Sequence, residues 1–127
     1  MKKVTPRKAF SKFRPNIVSF ILSYDLKNKR PSGMIASWCM KCSFEPPLLV
    51  VSLKKVGYTH RLINESKEFV VVVANKSLEK EVNFFGTTHG DKTDKFNETQ
   101  IKITKSKHLN VPLLKNANNP KNLNLYH

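Results

Sequence analysis

The sequence predicts a mainly β fold with short helices interposed, a β-barrel or an α+β domain, on three observations. Runs of strand length rich in β-branched and aromatic residues recur at 16–24, 48–53 and 69–74. Helical spacing is confined to two short stretches, one around Leu62 and Ile63 and one through Leu78, Val82 and Phe85. A chain of 127 residues with 39% hydrophobic content can bury one core and no more. The order of elements, strands with helices between them, fits either architecture.

Each element has a local reason. Residues 1–14 form a basic arm. Residues 16–24 read as a strand, and residues 25–33 supply the Asp, Asn, Pro, Ser and Gly that turn a chain, so a hairpin is expected with 34–39 as its second arm. Pro46 and Pro47 interrupt the pattern before a third strand at 48–53. Gly57 ends that strand, and Thr59 is placed to cap a short helix over 59–65. The run FVVVVA at 69–74 is too β-branched for a helix and lacks polar alternation, so it is expected to be the central strand, buried on both faces. Ser77 is expected to cap a second helix with Glu79 in its first turn and Gly86 as its stop. Residues 87–96 are turn-like, and 100–104 alternates Ile101 and Ile103 with polar residues as a half-buried strand would. From 116 onward the Asn-rich chain offers little to pack.

The formal net charge is +14, from 23 Lys plus Arg against 9 Asp plus Glu. Residues 1–14 hold six basic residues and 99–127 hold five, with no acid in either, so only +3 belongs to residues 15–98. Nineteen of the basic residues are Lys and four are Arg, whereas base-edge recognition leans on Arg. Nonspecific attraction to polyanions is expected; a basic nucleic-acid-binding module that reads sequence is the weaker alternative. The longest uncharged apolar stretches, 17–24 and 69–74, fall far short of the roughly 20 residues that span a bilayer. Positive charges precede the first of them, but Ser19, Ser23 and Tyr24 interrupt it and no small-x-small cleavage site follows. A cytoplasmic protein with no membrane partner is expected.

Candidate chemistry is sparse. Cys39 and Cys42 form a C-x-x-C at a strand end, without the helix N-terminus that activates a redox thiol or the second pair that completes a zinc site. They read as ordinary half-buried thiols. Glycines at 33, 57, 86 and 90 are too dispersed for a Walker loop or a G-x-G-x-x-G, and no hydrolase triad motif is present. What remains is a polar and cationic set ending at the start of a helix: Ser52, Lys54, Lys55, Tyr58 and Thr59. Helix amides, an ammonium and a hydroxyl together favour a phosphate dianion, although solvated lysines beside a capping Thr give the same pattern.

Four ordered motifs narrow the choice. They are M-x-A-S-W at 34–38, S-F-x-P-P-L at 43–48, Y-T-x-x-L-I followed by S-x-E-F-V-V at 58–71, and D-K-F at 94–96 downstream of G-T-T-H-G. In order and spacing the chain resembles the flavin reductase-like family, the FMN-binding split barrels that include flavoredoxins, over residues 15–117. The resemblance implies a split β-barrel, a noncovalently bound FMN, a homodimer, and passage of electrons from NAD(P)H through flavin to an acceptor. Carried over by position, Ala36, Ser37 and Trp38 would face the flavin, Lys54 and Thr59 would hold its phosphate with Ser52 and Tyr58 alongside, and Lys95 would reach the cofactor. Ser32 stands where the family commonly has Asn, beside Met34, and Ile35 stands where Thr is usual. Relatives continue beyond the segment at 111–117 with strands that complete the barrel, whereas here only the tail at 118–127 follows. The expectation is therefore an incomplete barrel, either a flavin oxidoreductase or a truncated, noncatalytic member of the family.

Overall fold

A seven-residue strand, β1 (Ser19–Asp25), carries the fold, and in the computed structural model almost every residue of it is buried. The structure describes residues 3–12 and 17–115, and the backbone of 124–126. β1 pairs antiparallel with β2 (Arg30–Ala36), from Ser19 opposite Ala36 to Asp25 opposite Arg30, and on its other side with β5 (Val70–Val73). The described sheet runs β2, β1, β5, β8, the last being Asn124–Tyr126. The FVVVV run is thus interior to the sheet, and its side chains divide between the two faces: Val70 and Val72 on one, Val71 on the other. The tail was expected to contribute no strand. Its backbone at Asn124–Tyr126 instead pairs with Val70–Val72; the rest of the tail lies outside the described residues, as does the start of the first expected strand.

The first hairpin turns more tightly than its composition suggested. Only residues 26–29 lie outside the strands, and the second arm runs Arg30–Ala36 rather than 34–39. The cause is Asp25, whose Oδ1 accepts from the amides of Lys27 and Asn28, both at 3.0 Å, and closes the turn. Lys29 takes up the left-handed conformation, φ 51°, that completes it. Pro31 is tolerated within β2 because that strand ends the described sheet.

A second, two-stranded sheet pairs β3 (Cys39–Ser43) with β4 (Leu48–Val51). β3 was not expected, since CMKCS lacks strand alternation; its pairing with the apolar β4 holds it. Cys39, Leu49 and Val51 face inward and pack with Met34, Ile63 and Phe69 around Ile21, Ala36 and Val71. Met40, Leu48 and Val50 are exposed, as are the neighbouring Trp38 and Phe44.

α2 (Tyr58–Ser66) lies against β1 on the Ile21 face. The opposite face buries Phe20, Leu22, Val70 and Val72 beneath α3 (Glu79–Thr87) and α4 (Lys95–Thr99), with Phe85 set edge-on to Phe20 and Phe96 at centroid distances of 5.3 and 5.4 Å. A 3₁₀ turn at Lys76–Leu78 leads into α3, capped by Asn75 rather than Ser77: Asn75 Oδ1 accepts from the Ser77 amide at 2.9 Å. Gly86 does not stop α3, which runs one residue further. α4 was missed in the turn-like stretch; Asp94 caps it by accepting from the Asn97 amide at 3.2 Å. Ile101 is buried but Ile103 is exposed, so the expected strand reduces to β6 (Ile103–Thr104) paired with β7 (Leu113–Leu114). In the basic arm, α1 (Pro6–Phe10) is a short helix with no buried residue, capped by Thr5.

Candidate functional site: the end of β2 and the start of α2

Ser32, Met34 and Ala36 occupy alternate positions of β2 and therefore share one face of the sheet, the face that carries α2. Ser32 and Ala36 are buried, Met34 half-buried, and Met34 and Ala36 pack in the smaller core. Beyond Ala36 the chain emerges: Ser37 is exposed and Trp38 is 73% exposed, which excludes core packing as the reason for an indole here. The Trp38 carbonyl accepts from the Ser52 amide at 2.9 Å. That bond joins the A-S-W end of β2 to the segment running through Lys54 to α2, two parts of the site 14 residues apart in sequence.

The segment 52–57 is a loop because Gly57 donates back to the Lys54 carbonyl at 3.0 Å and turns the chain into α2. Ser52 and Lys54 are exposed. Gly57, not Thr59, is the residue preceding the helix, and it offers no side-chain acceptor to the first amides; no acidic residue lies in the first turn. Thr59 sits one residue inside the helix, buried on the sheet-facing side with Leu62, so the capping role expected of it is not observed. The outer side of the helix start borders an open cleft of about 360 Å³ lined by Lys55, Val56, Gly57, Tyr58, Arg61 and Asp91.

Tyr58 is tied down. Its hydroxyl donates to Asp25 Oδ2 at 2.5 Å, and the same oxygen accepts from Asn28 Nδ2 at 2.7 Å. Burial alone would raise the Asp25 carboxyl, but the hydrogen bonds from Tyr58, Asn28 and the Lys27 amide outweigh it and hold the pKa at about 2. Burial, and then its bond to that carboxylate, push the Tyr58 phenol up. Arg30, opposite Asp25 on β2, donates from Nη2 to the Gly90 carbonyl at 3.0 Å and pairs with Asp94 at 3.9 Å. Gly90 is needed where it stands: a Cβ there would lie 2.7 Å from Ser32 Oγ and 3.1 Å from the Tyr58 ring. The loop before α4 thus packs backbone-first onto Ser32 and Tyr58.

The resemblance would bring Lys95 to the cofactor. In the structure its side chain is inside the fold, with the residue 4% exposed and Nζ donating to the carbonyls of Phe85 at 2.8 Å and of Gly33, between Ser32 and Met34, at 3.0 Å. Its place is the seam between β2 and the helices on the opposite face. Cys39 and Cys42 are both free: Cys39 is half-buried with its thiol pushed up by burial, and Cys42, expected to be half-buried as well, is exposed. Sequence reasoning missed Asp25, Arg30 and Gly90. The only signal was the Asp at the strand end, read there as a turn former.

The chain is similar to known proteins in sequence and in fold. A family profile described as "Flavin reductase like domain" matches residues 14–119. The chain therefore belongs to the flavin reductase-like family. Among solved structures, flavoredoxin of Desulfovibrio vulgaris (Miyazaki F) superposes with a TM-score of 0.79 at 27% identity, over 92% of this chain and 62% of that one. An FMN-binding protein from Thermus thermophilus, with 1-cyclohex-2-enone bound, superposes with a TM-score of 0.73 at 22% identity, over 91% of this chain and 61% of that one. The fold is the split barrel of this family. An uncharacterized protein of Archaeoglobus fulgidus is 39% identical over 87 residues, 68% of this chain and 49% of its own length. The chain spans about half the length of such curated relatives. No helix among the described residues is long and apolar enough to cross a membrane.

Proposed function

We propose that the chain binds FMN noncovalently and serves electron transfer from NAD(P)H through the flavin to an acceptor. The observation that carries this reading is the bond from the Ser52 amide to the Trp38 carbonyl, which sets the exposed A-S-W end of β2 beside the loop leading to the uncapped start of α2. The residues fit the group: first-turn amides without a side-chain acceptor, and Lys54 in the loop before them, suit a phosphate dianion. In this reading Lys54 and the amides at the start of α2, with Ser52, Tyr58 and Thr59 around them, hold the phosphate end. Ser32, Met34, Ala36, Ser37 and Trp38 line the ring end, and Trp38 shields it from water. Bound FMN would supply the two-electron chemistry.

The working unit in this reading is a cytoplasmic homodimer. The apolar side chains exposed on and beside β3 and β4, among them Trp38, Met40 and Val50, support it. The test is an absorption titration of the purified chain with FMN between about 300 and 550 nm, beside a Lys54→Ala, Thr59→Ala variant; a charge-assisted contact contributes roughly 1.5–3 kcal/mol. Binding that weakens at least tenfold in a folded variant supports the site. No binding by the folded wild type overturns it, and bound FMN without NAD(P)H oxidation leaves the noncatalytic reading in its place.

A further inference from the structure

Residues 3–12 form a short basic element that the proposed flavin site does not use, and the family match begins only at residue 14. Its helix, α1, is little more than one turn, with Thr5 and Ser11 at its ends. Thr5 Oγ1 accepts from the Lys8 amide at 3.4 Å, Ser11 Oγ donates to the Lys8 carbonyl at 2.7 Å, and the Lys12 amide donates to the Ala9 carbonyl at 3.0 Å. The turn is closed by these local bonds and buries none of its residues. Packing against a core therefore does not account for its composition.

That composition is of one sign. Lys3, Arg7, Lys8 and Lys12 are all exposed. The first acidic residue of the sequence is Asp25, whose carboxylate is taken up by Tyr58, Asn28 and the Lys27 amide. Neither ion pair among the described residues involves the arm. Lys8 and Lys12 stand four residues apart along the turn, a spacing at which like charges repel, and an external anion relieves that repulsion.

Two apolar side chains share the segment: Phe10 is 70% exposed and Val4 is 54% exposed. Cations interspersed with exposed apolar side chains suit the headgroup boundary of an anionic bilayer, where the cations meet lipid phosphates and carboxylates and a ring enters the acyl edge. Nucleic acid offers the cations phosphates too, yet no apolar layer for a valine. Arg, the better reader of base edges, supplies one of the four cations. The lack of a spanning helix among the described residues bears on crossing a bilayer, not on lying at its surface.

We propose that residues 3–12 dock the chain on an anionic lipid surface, with Lys3, Arg7, Lys8 and Lys12 against the headgroups and Phe10 and Val4 at the edge of the hydrocarbon. The contact is peripheral and reversible, because stable anchoring takes two signals and this cluster is one. It goes beyond the flavin reading and requires no bound FMN.

The experiment is co-sedimentation of the full chain with vesicles of phosphatidylserine and phosphatidylcholine in about a 1:2 ratio, and of phosphatidylcholine alone, at about 0.1 M salt. The mixed vesicles should bind the wild type and the neutral ones should not. Each cation near such a surface contributes roughly fivefold in partitioning. The variant Lys3→Gln, Arg7→Gln, Lys8→Gln, Lys12→Gln should therefore bind the mixed vesicles at least about 50-fold more weakly. A charge-matched variant at four other exposed lysines, Lys102→Gln, Lys105→Gln, Lys107→Gln, Lys115→Gln, should lose less than about fivefold. Phe10→Ser should weaken binding at least about threefold. Equal loss in the two charge variants reduces the effect to net charge and overturns the proposal. So does a Phe10→Ser variant that binds like the wild type, since the arm is then a plain polycation. Binding to a DNA duplex that depends on the same four cations, without binding to the mixed vesicles, overturns it in favour of nucleic acid. Absence of binding to both removes the arm as a docking element.

Discussion

The Tyr58 hydroxyl donates to the Asp25 carboxylate at 2.5 Å, tying the first residue of α2 to the last residue of β1. The bond has a measurable pH signature. Asp25 has its pKa lowered from 3.8 to about 2 in the folded chain. A folded-state pKa below the unfolded value means that stability is fully present above about pH 4 and is lost as pH falls toward 2. At about 1.4 kcal/mol per unit the effect is roughly 2 kcal/mol. In Asp25→Asn one carboxylate oxygen becomes an NH2, which cannot accept from the donors that faced it, the Lys27 and Asn28 amides on one side or Asn28 Nδ2 on the other. Urea midpoints should therefore fall by the equivalent of about 2 kcal/mol at pH 7, and the loss between pH 4 and 2 should shrink. An unchanged acid limb in that variant would mean that other carboxylates carry it.

A second prediction concerns the phosphate. If Lys54 and the first amides of α2 hold it, riboflavin, which lacks that group, forfeits their contacts. Two or three charge-assisted bonds of roughly 1.5–3 kcal/mol each place riboflavin at least 100-fold weaker than FMN. Lys54→Ala should reduce that discrimination by about tenfold while leaving riboflavin affinity unchanged. Equal affinity for the two ligands in the wild type would remove the phosphate from this end of α2.

The close approach at Gly90 is testable by crowding it. A methyl there would stand 2.7 Å from Ser32 Oγ and 3.1 Å from the Tyr58 ring, so Gly90→Ala should destabilise by about 1–3 kcal/mol. Ser32→Ala removes the nearer obstacle, so the double variant should recover part of the loss. A coupling of zero in that cycle would show that the loop moves aside instead.

These contacts also mark what the sequence could convey. FVVVV announced an interior strand because β-branched residues without polar alternation need cover on both sides, and Val70, Val71 and Val72 have it. α2 was legible within a residue at each end from the spacing of Leu62 and Ile63. β3 was not, since Cys39 to Ser43 owe their extension to pairing with β4, a tertiary cause that leaves no local periodicity. α4 is one turn long, too short to show a period, and only Asp94 hinted at it. At the site, the residue types for holding a phosphate were readable in Lys54 and Thr59, but not that Thr59 turns toward the sheet. Burial of Lys95 was illegible for a general reason: lysine is among the residues least often buried, and what permits it here is a pair of carbonyls 62 and 10 residues away.

The two thiols offer a last check on how β3 sits. Cys39 faces the smaller core with Leu49 and Val51, and burial pushes its thiol up, away from the reactive thiolate. Cys42, three residues on, is exposed beside the β3 irregularity at Lys41 and Ser43. A thiol reagent at pH 8 should therefore modify Cys42 quickly and Cys39 slowly in the native chain. Mass spectrometry of the partly labelled protein would locate the fast adduct. In urea the two rates should converge, because the difference belongs to the fold. Two equally fast thiols in the native state would mean that β3 does not pack Cys39 against Ile21 and Val71. In that case the ring end of the proposed site, which shares that small core through Met34 and Ala36, would lack its support.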